Sequence, residues 1–370
     1  MDFDVIEYDR EITHKKDEPS LSVKLLSDFL QDHEADFVFS INFFPYVSEV
    51  CRIYHLRYLS WIVDAPVMEL YSKSITNECN RVFLFDRALY NDIHPFNEKC
   101  VFHLPLAART EDSDHLIESA SRADIDRFSH EVAFVGSLYS EKCPYDRAKK
   151  IPLETAGYLQ GIMEAQVRVY GYYFIEDLIS DKIVEDFKSG IEGFYTYPAE
   201  SFLTDKRTLS QLYIGNKVTA MERDLTFRTL SENFNTSIYT ASDTSAYPHI
   251  HNMGLAKTLT EMPLIFHYSK ININTTSKPI RTGLPLRIFD ILSCGGFCLS
   301  NYQEEIPELL VPDEDIVMYG SMEELVDKCA YYLEHDDLRR EIAINGYRKL
   351  KENYSYEKQL EKLLLTAYSF

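Results

Sequence analysis

The chain has 370 residues, enough for two domains with separate cores, and its 45% hydrophobic and 26% charged content is that of a globular protein. A formal net charge of -21 argues against nucleic acid and anionic membrane surfaces as partners, because both need a basic footprint. No apolar run approaches the roughly 20 residues that span a bilayer, the first residues lack the apolar core of a signal peptide, and seven cysteines without a C-x-x-C pair suggest neither a disulfide framework nor a zinc site.

A cytoplasmic protein is therefore expected. Any anionic ligand must be met by a local cluster of cations and backbone N–H groups, against the overall field of the molecule.

Short apolar runs alternate with amphipathic stretches, the pattern of parallel α/β folding. Val5-Ile6-Glu7-Tyr8 reads as a first strand and Leu21 to Leu30 as a helix. Strands follow at Phe37 to Ile41, Tyr58 to Val63, Val82 to Phe85 and Val101 to Leu104. The second of these ends at Asp64-Ala65-Pro66, since proline cannot continue a central ladder. No Gly-rich first β-turn-α unit precedes them, so the N-terminal domain is expected to lack that unit.

Residues 113–130 are polar, carry charges of both signs, and read as a linker with some helix. A second α/β unit opens at Val132 to Val135, followed by a small-residue turn, Gly136-Ser137. Residues from about 144 to 235 look helical and irregular, and read as an insertion. Strands resume at Ser237 to Thr240, Lys270 to Ile273, Phe297 to Ser300 and Ile316 to Tyr319. Ser321 and Glu324 have capping-box spacing before a helix carrying Leu325, Val326, Cys329, Ala330 and Leu333 on one face. The chain closes on an amphipathic helix with Leu360, Leu363, Leu364 and Tyr368. The domains so read are 1–112, completed by the C-terminal helix 355–370, and 131–354.

The densest constellation of functional side chains runs from Arg281 to Phe297. Leu286 to Ser293 reads as a short helix entered after Gly283-Leu284-Pro285 and stopped by Gly295-Gly296. Arg287 and Asp290, three residues apart, share one helix face. With Arg281, a helix N-terminus and Arg287 can hold a diphosphate, and Asp290 can accept hydrogen bonds from a ribose diol. The same spacing also fits an ordinary surface ion pair.

Gly136-Ser137, with Lys142 downstream, is a turn that permits close backbone approach to a phosphate, or a plain tight turn. Asp64, Asp86, Asp243 and Asn274 lie at strand ends, where open α/β sheets bind ligands. Asp64 is the candidate general base; the alternative is a cap or turn residue. His249 and His251 form an H-x-H pair without a carboxylate or cysteine at useful spacing, which fits a loop or pocket lining better than a metal site. No metal and no cofactor are expected.

The stretches Lys270 to Asn274, Gly283 to Asp290, Cys294 to Phe297, Tyr302, Met318 to Leu325 and Asn345-Gly346 resemble the C-terminal domain of group 1 glycosyltransferases, in their CgeB-like branch. Phe39 to Pro45, Ser60 to Pro66, Asn80 to Asp86 and Leu104 to Ala107 resemble the N-terminal domain of that branch.

The resemblance implies a GT-B architecture, two Rossmann-like domains facing a cleft. The nucleotide-sugar donor sits on the C-terminal domain and an acceptor, glycan, protein or small molecule, mainly on the other. It implies transfer without a bound metal. Asp290 falls at the second acid of the family's paired-carboxylate motif, the ribose position. Gly283 falls where the first acid would stand, a departure that bears on the transferred sugar. Gly136-Ser137 matches the turn opening the donor domain, Arg281 and Arg287 the diphosphate partners, and Asp64 an acceptor-side position. Asn274, Gly295 and Gly296 complete the expected donor set, with Lys142, Asp86, His251 and Asp243 as further candidates. The rival readings are a nucleotide-sugar epimerase or hydrolase on the same fold, and a non-enzymatic nucleotide-sugar-binding module.

Overall fold

A computed structural model describes residues 3–9, 19–141 and 143–369. The chain divides into two compact units. Unit 1 comprises Met1–Leu104, Tyr197–Leu203 and Glu357–Phe370; unit 2 comprises Pro105–Thr196 and Thr204–Tyr356. Each has its own parallel sheet, so the expected α/β class with two Rossmann-like domains is the class of the structure. No helix among the described residues is long and apolar enough to cross a membrane.

The sheet of unit 1 has four strands in sequential order: β1 (Phe37–Ile41), β2 (Arg57–Trp61), β3 (Asn80–Leu84) and β4 (Val101–His103), all parallel. β3 is buried at all five positions, as expected of an inner strand covered on both faces. Its core joins Tyr58, Ile62, Val82 and Leu84 to Phe43, Val47 and Val50. Two later segments complete the unit. Phe202 stacks on Phe96 with ring centroids 4.1 Å apart, and its N–H donates to Tyr71 O at 2.7 Å. In the closing helix Tyr356–Tyr368, Ala367 O accepts from Arg81 Nε at 3.1 Å.

The strand expected at Val5 to Tyr8 does not form. Residues 3–9 carry no regular structure, and Val5 and Ile6 are 76% and 51% exposed. Apolar side chains left in water gain no burial energy from strand pairing.

Unit 2 has six parallel strands in the order β10-β9-β8-β5-β6-β7. They are β5 (Val132–Val135), β6 (Thr236–Tyr239), β7 (Ile250–Asn252), β8 (Ile271–Asn274), β9 (Cys298–Asn301) and β10 (Val317–Tyr319). β7 was not legible in the sequence. It is a three-residue edge strand on which His251 and Asn252 are exposed, so it has no apolar alternation to betray it. The chain runs outward from β5 to β6 and β7, then returns to β8 on the other side of β5. The strand order thus reverses between β5 and β8.

Residues 113–130 lie within unit 2 and carry the helices Glu111–Glu118 and Arg122–Phe128. The stretch 144–235 is helical as read, with Leu153–Val167, Asp181–Gly190 and Gly215–Asn233 as its main helices. It has its own apolar cluster around Phe187, Tyr213, Leu159 and Met163. The last of these helices is entered through a π-helical turn, Leu209–Ile214.

Candidate functional site

A topological switch point opens a crevice beyond the carboxyl ends of the strands that flank it. In unit 2 these ends belong to β5 and β8, followed by Gly136 to Tyr139 and by Thr275 to Lys278 respectively. The helix Gly215–Asn233 leads back to the start of β6, and its middle carries the side chains that tie the two loops together.

Arg223 bridges the loops. Its Nη2 donates to Thr275 O at 2.8 Å and its Nη1 donates to Ser137 O. The guanidinium carbon lies 4.7 Å from the Tyr139 ring centroid. The residue is buried, and its Nε has no hydrogen-bond partner. Burial pulls the guanidinium below its ordinary pKa. Among the described residues no carboxylate forms an ion pair with it. Its direct partners are carbonyl oxygens and aromatic rings, while the Glu222 carboxylate acts on it through space, so the guanidinium is held without a hydrogen-bonded counter-ion.

Beside it, Lys278 Nζ lies 2.8 Å from Glu222 Oε2, with side-chain exposures of 10% and 1%. The other oxygen of Glu222 accepts from Asn301 Nδ2 at 3.2 Å, and Asn301 Oδ1 accepts from Thr276 N at 2.9 Å. Lys278 N donates to Thr219 Oγ1 at 2.9 Å, and its ammonium lies 4.7 Å over the Tyr170 ring. Burial, reinforced by the Glu222 carboxylate, pushes the Tyr170 hydroxyl well above its ordinary range. The network joins the carboxyl ends of β8 and β9 to the helix. Asn274 belongs to the same layer: its Nδ2 donates to Ser300 Oγ at 2.9 Å and Thr276 Oγ1 at 3.0 Å.

Glu222, Arg223 and Lys278 were not singled out in the sequence. Glu222 and Arg223 sit mid-helix in a stretch resembling any charged solvated face, and Lys278 is 55 residues further along. No local spacing joins them; the crossover does.

The sequence-derived candidates divide by edge. Gly136 and Ser137 lie at the carboxyl edge, in a loop tied mainly to β6 and the turn after it. Gly136 N donates to Tyr239 O at 3.1 Å, Leu138 N to Ser242 Oγ at 2.8 Å and Tyr139 N to Ser137 Oγ at 2.9 Å. Arg281 is half-buried in the loop after β8. Gly283 is fixed through its carbonyl, which accepts from Gln303 Nε2 at 3.1 Å.

The helix Leu286–Ser293 forms as read. Arg287 Nη1 contacts Asp290 Oδ2 at 2.9 Å, an ion pair with a quarter to a third of each side chain exposed. Burial raises the Asp290 carboxyl above its ordinary pKa, while Arg287 pulls it back down. Asp290 Oδ1 has no protein partner among the described residues.

Gly295 and Gly296 are not brought together with this group. Eight helical residues advance about 12 Å, from the carboxyl edge after β8 to the amino edge before β9. There the two glycines form the helix stop. Gly295 has φ 65°, and Gly295 N and Gly296 N donate to Leu292 O and Ile291 O, both at 3.0 Å. A Cβ on Gly296 would stand 2.5 Å from Phe266 O, so close packing accounts for it.

Asp86 is a helix cap: fully buried, it accepts from Leu89 N at 3.0 Å at the start of Arg87–Ile93. Asp243 is exposed and folds onto Ser245, accepting from its N and its Oγ, both at 2.9 Å. His251 is exposed on the edge strand β7. Lys142 lies outside the described residues.

In unit 1, Asp64 follows β2 and is exposed. Asn42, at the end of β1 with φ 63°, reaches across to it. Asn42 Nδ2 donates to Asp64 Oδ2 at 2.7 Å, while Asn42 Oδ1 accepts from Val63 N at 3.1 Å and Asp64 N at 3.3 Å. This brace orients the carboxylate beyond the carboxyl ends of two neighbouring strands.

Comparison with known proteins agrees with this architecture. Residues 222–365 match the model of a family described as glycosyl transferase-like. No curated protein matches the chain in sequence. Among solved structures, the chain is similar to a glycosyltransferase from Rickettsia africae ESF-5 (10% identity, 96% of this chain and 82% of that one, TM-score 0.54). It is also similar to Anabaena Alr3699/HepE, solved in complex with UDP-glucose (11%, 94% and 82%, 0.53). A third similar structure is the sucrose-phosphate synthase from Thermosynechococcus elongatus (10%, 93% and 76%, 0.51). The fold is that of solved glycosyltransferases.

Proposed function

We propose that the chain is a cytoplasmic glycosyltransferase that moves a sugar from a nucleoside-diphosphate donor to a hydroxyl acceptor without a metal ion. The observation that carries this reading is the placing of Arg223 and of Lys278, the latter paired with Glu222, at the switch point of unit 2, with Arg281 and Arg287 in the segment that follows. In a molecule of net charge -21, such a grouping of cations is a specific device for an anion.

In the reaction, the bond between the sugar's anomeric carbon and the diphosphate oxygen breaks. The leaving diphosphate gains negative charge, and fixed cations lower the barrier by stabilising that charge as it develops. These side chains supply the stabilisation that a divalent metal would otherwise give. The acceptor oxygen bonds to the anomeric carbon, and its proton passes to a base, for which Asp64, oriented by Asn42, is the candidate. Asp290 holds the ribose diol through Oδ1, with Oδ2 kept by Arg287. A uridine nucleotide is the first donor to test, since the similar Anabaena protein was solved with UDP-glucose.

Nucleotide release from UDP-, GDP- and dTDP-sugars, with and without acceptor and with EDTA, tests the reading. Release that requires acceptor and survives EDTA is expected. Release without acceptor would mark a hydrolase, tight binding without release a binding module, and abolition by EDTA a metal-dependent mechanism.

A further inference from the structure

At the amino edge of the unit 2 sheet, opposite the Arg223–Lys278 edge, lies a cavity of about 480 Å³. We infer that it is a second ligand site, shaped for the phosphate monoester of a small polyol. Its lining comes from the residues just before β5, β6, β8 and β9 and from the helix Asp336–Asn353.

Arg339 anchors it. The side chain is only 7% exposed, yet just one of its nitrogens is satisfied: Nη1 donates to Asp336 Oδ1 at 2.7 Å and to Tyr332 O at 3.4 Å. Among the described residues Nε and Nη2 have no protein partner. A buried guanidinium with two unpartnered nitrogens presents the planar fork that phosphate oxygens match. Arg340 and Lys270 line the same cavity with exposed side chains, so three cations share its wall with the carboxylates of Asp336 and Glu131.

Two carboxylates narrow the ligand class. Asp336 is engaged by both arginines, with Arg340 Nη2 at 3.7 Å. Glu131 lines the cavity without an ion pair among the described residues. Glu131 repels phosphate charge of any kind but accepts hydrogen bonds from hydroxyl groups, as Asn235 and Ser237 also can, so it faces the hydroxyl-bearing part of a ligand. One phosphate carrying several hydroxyls satisfies both halves of the lining. The volume suits a small molecule and exceeds what inorganic phosphate alone would fill.

The cavity also touches the stop of the helix that carries Arg287 and Asp290. Gly295 lines it, and His267, another lining residue, bonds Cys294 O through Nδ1 at 2.7 Å.

The test is isothermal titration calorimetry of the full chain with ribose 5-phosphate, ribose and inorganic phosphate, and separately with UDP. Ribose 5-phosphate is expected to bind one site per chain, at least about tenfold more tightly than either control. The double variant Lys270→Ala/Arg340→Gln changes only exposed side chains and should fold. It is expected to weaken ribose 5-phosphate by about tenfold or more while leaving UDP affinity within about twofold. Inorganic phosphate binding as tightly as the ester, no binding of the ester up to about 10 mM, or unchanged affinity in the double variant overturns the proposal. Absence of UDP binding would count against the donor site alone, because the ester is titrated independently.

Discussion

Lys278 and Glu222 form a buried ion pair, Nζ to Oε2 at 2.8 Å, across the carboxyl end of β8 and the helix Gly215–Asn233. Paired charges in a protein interior are a weak source of stability, because desolvation offsets most of their attraction. Their presence at the switch point fits a functional demand for a fixed cation.

Removing one partner leaves the other charge buried and unmatched. Lys278→Met or Glu222→Gln is therefore expected to destabilise the protein by about 3–5 kcal/mol in urea unfolding. The double variant should recover much of that stability while its affinity for a nucleoside diphosphate stays low. Recovery of affinity along with stability would assign the pair a purely structural role.

Arg223 ties the loop after β5 to the loop after β8 through two carbonyl oxygens. Arg223→Lys retains the charge but cannot span both acceptors. The loss of a charged hydrogen bond, about 1.5–3 kcal/mol, predicts a weakening of UDP binding of roughly 10- to 150-fold by calorimetry. Affinity equal to wild type would remove the bridge from the donor site.

Asp64→Asn keeps a side chain that Asn42 can still hold, yet cannot take a proton. Turnover is expected to fall by about 10²–10⁴, the usual contribution of a general base, with the Kd for UDP unchanged. Equal turnover in the two proteins would exclude Asp64 as the base.

Asp86→Ala removes a helix cap. A loss of about 1–2 kcal/mol of stability is expected, read as a lower Tm, with the activity of the folded fraction preserved. Loss of activity at full stability would return Asp86 to the list of site candidates.

The fold was legible wherever the sequence carries punctuation. Pro285 and Gly295-Gly296 bracket the helix Leu286–Ser293, and its bounds follow from them. Strands buried on both faces read as apolar runs. β7 escaped because an exposed edge strand of three residues needs no such run. The site was legible in part. Arg287 and Asp290 meet because three residues bring them onto one helix face. Gly295, close to them in sequence, ends on the opposite edge of the sheet because the helix carries it there. Glu222 and Lys278 meet only through a crossover of the whole fold, and no local spacing encodes that. Strand-end carboxylates proved ambiguous: Asp64 is braced and exposed, whereas Asp86 caps a helix.

On this reading the carboxyl edge of unit 2 receives a nucleoside diphosphate. The decisive experiment is a crystal structure of the protein grown with UDP. Diphosphate density beside Arg223 and Lys278, with the ribose at Asp290, is the predicted result. A diphosphate bound anywhere else, with those three side chains untouched, would contradict it.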